Sequence, residues 1–317
     1  MATRAIIGFL AMVAASIVLA GSVQAHELPL GDGKVSTQPE RGHVYSCQTE
    51  FRGGGAHRRG EWIGADSWDP ARKPRVSGRV DWPNARIDIS LDRDTRIVSA
   101  NNLPLHETGT FPISRGDDAY RYDRNPNSIR AQNILLRLPA MPHRADTPAC
   151  VPMGMIGFAL SGGAIYNALD AMGRDAPAHE IQDACDGHPQ RSGQYHYHGY
   201  SECLTDSRAQ PDGHSDLVGY AIDGFGIFGL RGQGGGELDN ADLDACHDHT
   251  HKLVWDGAST DIYHYHMTRE YPYTIGCFRG AVDRAAFRRP PPDRRGGAPP
   301  DGPSGPHPGS FALPPRR

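Results

Sequence analysis

The chain has 317 residues, 38 glycines, 26 prolines and a formal net charge of −4, a composition that disfavours a helical bundle and favours short strands, turns and ordered loops. Its acidic balance excludes a general nucleic-acid binder, whose partner demands a basic face. Six cysteines, none in a CxxC pair, exclude a thioredoxin-type or thiolate-zinc motif and leave structural disulfides, the form that cysteines take in an oxidising compartment.

Taken in chain order, Arg4, the uncharged apolar run 5–20 and Val23-Gln24-Ala25 make the three parts of a signal peptide spanning 1–25. The run of about sixteen residues falls short of the about twenty that a membrane span needs. Cleavage would place His26 at the new N-terminus, where its amine and ring offer a two-point copper chelate. No later segment reaches transmembrane length, so the sequence predicts a secreted or periplasmic protein with no membrane span after cleavage.

Residues 26–150 read as a β-rich part. Polar and apolar residues alternate over Val44 to Phe51 and Arg86 to Leu91, and Arg96 to Val98 and Ile134 to Leu138 continue the pattern, which is the period of half-buried strands. Turn-rich stretches at Gly53 to Gly55, Asn101-Asn102 and Asp123 to Asn127 separate them. Trp62, Trp68 and Trp82 lie here, either as core residues or as the face of a non-metal adhesion or glycan-binding module.

Residues 151–280 contain a repeat, one copy at 151–203 and a second at 216–277. Gly157 to Tyr166 aligns with Gly219 to Phe228 at an offset of 62, and Asp183-Ala184-Cys185 with His188 aligns with Asp244-Ala245-Cys246 with His249 at 61. Tyr195-His196-Tyr197-His198 aligns with Tyr263-His264-Tyr265-His266, and a cysteine follows each, Cys203 and Cys277. Such a duplicated unit packs about a pseudo-two-fold axis, as symmetric interfaces do. The fold expected is mainly β, loop-rich and disulfide-stapled, with an α+β variant of few short helices as the alternative. Local closure pairs Cys185 with Cys203 and Cys246 with Cys277, leaving Cys47 for Cys150, one of fifteen possible connectivities.

The two Tyr-His-Tyr-His motifs, with Gly219 to Phe225 and Tyr122 to Asn127, resemble the YHYH domain family over roughly residues 110–280. The resemblance implies a secreted, cysteine-containing domain and assigns no activity.

On a strand, residues two apart share a face, so His196 and His198 project together, as do His264 and His266, with their Cβ atoms about 7 Å apart. With His188 and His249 these make three imidazoles per repeat, the ligand pattern of a zinc or copper site. Two arrangements are open: one ion in each repeat, or a single site shared by four imidazoles of the two motifs. Asp183 and Asp244 are candidates for acceptors that fix the imidazole tautomers, or for turn formation ahead of each cysteine. All-nitrogen ligation in an oxidising space favours copper slightly over zinc. The function predicted is an exported metal-binding protein. Its rival is a secreted metal-dependent hydrolase or copper oxidase with Glu180 or Asp223 as general base. The Arg, Pro and Gly-rich stretch 281–317 reads as a disordered tail that is dispensable for stability.

Overall fold

The computed structural model describes residues 27–204 and 210–282. The leader, His26 and nearly all of the tail therefore lie outside the described residues.

Four two-residue strands come first: β1 (Leu28–Pro29), β2 (Val35–Ser36), β3 (Val44–Tyr45) and β4 (Ser67–Trp68). Strands β5 (Ile87–Asp92), β6 (Thr95–Ala100) and β7 (Ile134–Pro139) form an antiparallel sheet in the order β5-β6-β7, where the alternation of Arg86 to Leu91 and Ile134 to Leu138 anticipates it. Strand β8 (Arg144–Ala149) pairs with the last strand, β17 (Phe278–Gly280). Between them run β9 (Met155–Ala159), β10 (Ala164–Tyr166), β11 (Gly187–Pro189), β12 (Tyr195–Tyr197), β13 (Leu217–Ala221), β14 (Gly226–Phe228), β15 (Asp248–Trp255) and β16 (Ala258–His266). Helix is confined to the single turn α1 (Ala176–His179) and two 3-10 turns among the described residues. The fold is mainly β, as composition and periodicity predict.

The predicted strand Val44 to Phe51 is cut short. Only Val44–Tyr45 is strand, because Cys47 is tied to Cys150 and its N–H bonds the Val151 carbonyl, which turns the chain onto a different partner. Gly53, Gly54 and Gly55 all have positive φ, so the segment beyond cannot hold a pleat.

The eight-stranded sheet has the order β11-β12-β10-β9-β13-β14-β16-β15. Read from either end it is the same series: an antiparallel outer pair, a parallel pair, an antiparallel hairpin, then the central β9-β13 pair. At the centre Phe158 faces Tyr220, with Gly157 opposite Ala221 and Ala159 opposite Gly219, so residues aligned at an offset of 62 exchange places about one point. Both hairpins close through a positive-φ glycine, Gly162 and Gly224. A left-handed residue follows each repeat cysteine, Asp186 and His247, and turns His188 and His249 onto the outer strands. In the second half the outer pair is extended by a two-residue Asp256-Gly257 turn, both at positive φ, the loop that suits a twisted hairpin.

Buried side chains from Leu30 to Phe278 form one continuous core. Arg96 on β6 joins the two sheets: its guanidinium is buried, pairs with Asp256 at 2.6 Å and lies over the Tyr220 and Trp255 rings. Trp62 and Trp68 are core residues and Trp82 is half-buried with its indole N–H on Thr108, so the tryptophans do not form an exposed sugar platform.

The disulfides are Cys47–Cys150, Cys185–Cys203 and Cys246–Cys277, the local-closure pattern. Each inner bridge returns the chain from beyond its motif to the turn ahead of its outer strand. Replacing Cys246 and Cys277 by alanine is expected to lower unfolding free energy in urea by about 2 to 4 kcal/mol; an unchanged midpoint would show that the bridge constrains nothing the fold does not already hold.

Candidate metal centres

The Tyr-His-Tyr-His strands β12 and β16 sort their side chains by parity. Tyrosines point into the core, where Tyr195 donates to Asp183 at 2.9 Å and Tyr263 to Asp244 at 2.8 Å. Tyr197 meets His106 and Ser161, and Tyr265 donates to Asp223 at 2.6 Å; Ser161 and Asp223 align at the offset of 62. Asp183 and Asp244 also accept the N–H of Cys185 and Cys246, the two-residue turn of an aspartate ahead of each cysteine. They therefore anchor tyrosines and turns and do not fix the imidazoles. Strand alternation explains why: they lie on the tyrosine side of the sheet, and the histidines are on the other.

The histidines gather in two clusters. In the first half, His188, His196 and His198 present one nitrogen each within 4.8 Å of one another. His188 and His196 are directly opposite across β11 and β12. The Nε2 atoms of His196 and His198 are 3.0 Å apart. Glu180, at the C-terminal end of α1, brings Oε2 to 3.4 Å from both His188 Nε2 and His198 Nε2. Tyr166 stacks on His196 at a centroid distance of 3.8 Å and covers the cluster.

In the second half, His249 and His264 are the corresponding cross-strand pair, and His266 and His214 complete a group of four. His264 Nε2 lies 3.2 Å from His214 Nε2 and 3.0 Å from His249 Nε2; His266 Nε2 lies 3.0 and 3.1 Å from the same two. Four imidazole nitrogens around an ion at 2.0 to 2.1 Å are separated by about 3.3 Å in a tetrahedron and about 2.9 Å along the sides of a square. The observed spacing falls between these and suits either geometry.

The other ring nitrogen decides the tautomer. His196, His198, His214, His264 and His266 direct Nδ1 at the backbone carbonyls of Gln194, Asn167, Ser215, Ile262 and Gly229 at 2.6 to 3.2 Å. A carbonyl only accepts, so Nδ1 carries the hydrogen and Nε2 is a bare lone pair. The 3.0 Å contact of His196 with His198, and those of His214 with His264 and His266, thus bring two acceptors together. The carbonyls are equivalent in the two halves: Asn167 and Gly229 align at 62, and Gln194 and Ile262 each stand two residues before their histidine. His188 in the first cluster is buried with neither ring nitrogen hydrogen-bonded.

Protonation does not resolve these contacts at neutral pH. Burial holds His198, His214 and His249 down to about 4 and His264 to about 2, and drives His188, His196 and His266 well below the ordinary imidazole range. The same burial pushes the Glu180 carboxyl well above its usual range. Each cluster is a set of neutral donors with no cation among them.

All six sequence-predicted ligands are thus brought together, three and three. Strands β12 and β16 have four strands between them, five spacings or about 24 Å at the usual strand separation, so the shared four-imidazole arrangement is not formed. His214 was missed: it lies ahead of the second repeat, and the position aligned with it is Pro152, so a search for repeated residues passes over it. Glu180 sits at the first cluster. Asp223 touches neither cluster; its carboxylate accepts from Tyr265 and the Gly280 N–H. Of the other nearby histidines, His179 pairs with Asp32 and His247 with Thr268. A third grouping, His106 with Cys185 and Cys203, is no ligand set, because those sulfurs are bonded to each other.

Fold and site together define a mainly β, disulfide-stapled protein with two buried histidine clusters that could hold metal ions. Residues 135–235 match the family model described as YHYH protein. That stretch includes the first Tyr-His-Tyr-His motif and Gly219 to Phe225, and stops short of the second motif. No curated protein and no solved structure matches the chain.

Proposed function

We propose that the chain is an exported metal-binding protein that holds two transition-metal ions, one bound by His188, His196 and His198 with Glu180, the other by His214, His249, His264 and His266. The observation that carries this reading is the convergence of unprotonated Nε2 atoms at 3.0 to 3.2 Å, an electrostatically unfavourable arrangement that a bound cation turns into ligation. Copper is preferred over zinc, most clearly for the four-nitrogen set, whereas three imidazoles and a carboxylate also suit zinc. Three disulfides and the leader-like N-terminus support export. No helix among the described residues is long and apolar enough to cross a membrane. The matched strand order supports 151–203 and 216–277 as copies of one duplicated unit.

Elemental analysis of the full chain after saturation with copper or zinc and desalting is expected to find two equivalents. Absence of either ion, with a melting temperature indifferent to chelator, would end the metal reading. A second reading, a metal-dependent enzyme, is favoured by one feature: a cleft of about 800 Å³, walled by Trp68, Lys73, Tyr200 and Tyr273, reaches His198 of the first cluster.

A further inference from the structure

The second half has one imidazole more than a four-coordinate ion needs. His251 stands two residues beyond His249 on β15 and so shares its face. Its ring centroid is 4.5 Å from that of His214, 4.8 Å from His264 and 5.0 Å from His249. Neither ring nitrogen has a hydrogen-bond partner, although five histidines of the two clusters anchor Nδ1 on a carbonyl. His251 also lies nearer to solvent: its side chain is 13% exposed through its carbon atoms, both ring nitrogens being buried, whereas His214, His264 and His266 are fully buried and His249 is partly so. Beyond it, 3.9 Å from its Nε2, is the carboxylate of Asp212, 32% exposed. From solvent inward the order is a carboxylate, an unanchored imidazole and the four-nitrogen group.

We propose that Asp212 and His251 form an outer docking station through which a divalent cation enters and leaves the four-histidine cluster. The inference rests on that cluster being a metal site. A hydrated ion cannot reach fully buried nitrogens with its water shell intact, and shedding the shell at once is costly. A carboxylate draws the hydrated cation in, and an imidazole free of any competing hydrogen bond replaces part of its water before the buried nitrogens replace the rest. The first cluster has no such pair: the positions aligned with His251 and Asp212 are Gln190 and Cys150, and Cys150 is in a disulfide. It serves as an internal control.

The test mixes the metal-free full chain with zinc and a chromophoric indicator in a stopped-flow instrument. In His251→Ala and Asp212→Asn, filling and emptying of one of the two equivalents should slow by about tenfold or more, with two equivalents still bound at equilibrium. Asp212→Asn keeps the oxygen that accepts the His214 N–H, so the turn that positions His214 is preserved. Free imidazole should restore the rate in His251→Ala, which a purely structural role would not allow. Unchanged rates in both variants overturn the proposal. So does loss of one equivalent in His251→Ala, which would make it a permanent ligand. Failure of the unaltered chain to bind zinc or copper at all defeats the metal reading first and this inference with it.

Discussion

His264→Ala combined with His266→Ala is expected to remove one of two metal equivalents and leave the other bound, and His196→Ala with His198→Ala is expected to do the same in the other half. Each pair takes two of four donors from its own cluster. The two that remain, His214 with His249 or His188 with Glu180, lack the count that fixes a tetrahedral or square site. Independence follows from the separation of about 24 Å across the intervening strands and from the absence of any residue common to the two groups. Elemental analysis after desalting, on variants whose near-ultraviolet dichroism is retained, separates the outcomes. Near-complete loss of metal in either variant would mean one site shared between the halves and would contradict the strand order. Retention of both equivalents would mean that the ions sit elsewhere.

The second large effect is on stability in acid. Among the described residues nine imidazoles are held below the ordinary range, with burial the first cause in each. In the unfolded chain they titrate near 6.5. Between that value and about 4 the unfolded state takes up protons that the folded state refuses. The stability is therefore fully present above about 6.5 and lost as pH falls through the folded values. For His198 and His214, held at about 4, the loss is about 3 kcal/mol each. Buried carboxylates act the other way: burial raises Asp175 to about 6 and lifts Glu180 and Asp248 well above their usual range, so acid favours their folded form. Burial also raises Asp123, Asp183, Asp186 and Asp223, and the nine imidazoles outnumber these seven carboxylates. Metal-free protein should lose most of its stability to urea between pH 6.5 and 4.5, and the metal-loaded protein should resist to lower pH because ligated nitrogens are unavailable to protons. A midpoint in chelator that is flat or rises toward pH 4.5 would contradict this balance.

Much of the site was legible because it repeats. The spacing of His196 with His198 and of His264 with His266 states their common face once the strand is accepted. The recurrence of Cys185-x-x-His188 as Cys246-x-x-His249 places a third candidate ligand and, with Cys203 and Cys277, the two inner disulfides. What repetition cannot reveal is the group that differs between halves. The fourth proposed donor is Glu180 in one and His214 in the other, and each arrives from a non-equivalent segment whose placement depends on tertiary packing. The role of Asp183 and Asp244 was within reach of strand parity, because the residues beside a Tyr-His-Tyr-His strand must meet tyrosines on one side and histidines on the other. Val44 to Phe51 carries a strand pattern that is overridden by the Cys47 bridge and the glycines behind it. The choice between one shared site and two separate ones depends on strand order, which is set by two parallel crossovers, β10-β12 and β14-β16, that no local pattern records.

The arrangement of the sheet about the Phe158–Tyr220 pair has a consequence for how the molecule breathes. Both clusters straddle an outermost strand and its neighbour, β11 with β12 and β15 with β16, while the centre is closed by aromatic and small apolar residues. Amide protons along β9 and β13 can exchange with solvent only when the whole sheet opens, but those of β11 and β15 need only a local peeling of the rim. An ion bound as proposed would bridge rim and neighbour and raise the cost of that peeling, so metal occupancy is expected to register in the exchange rates of the two margins before it reaches the middle.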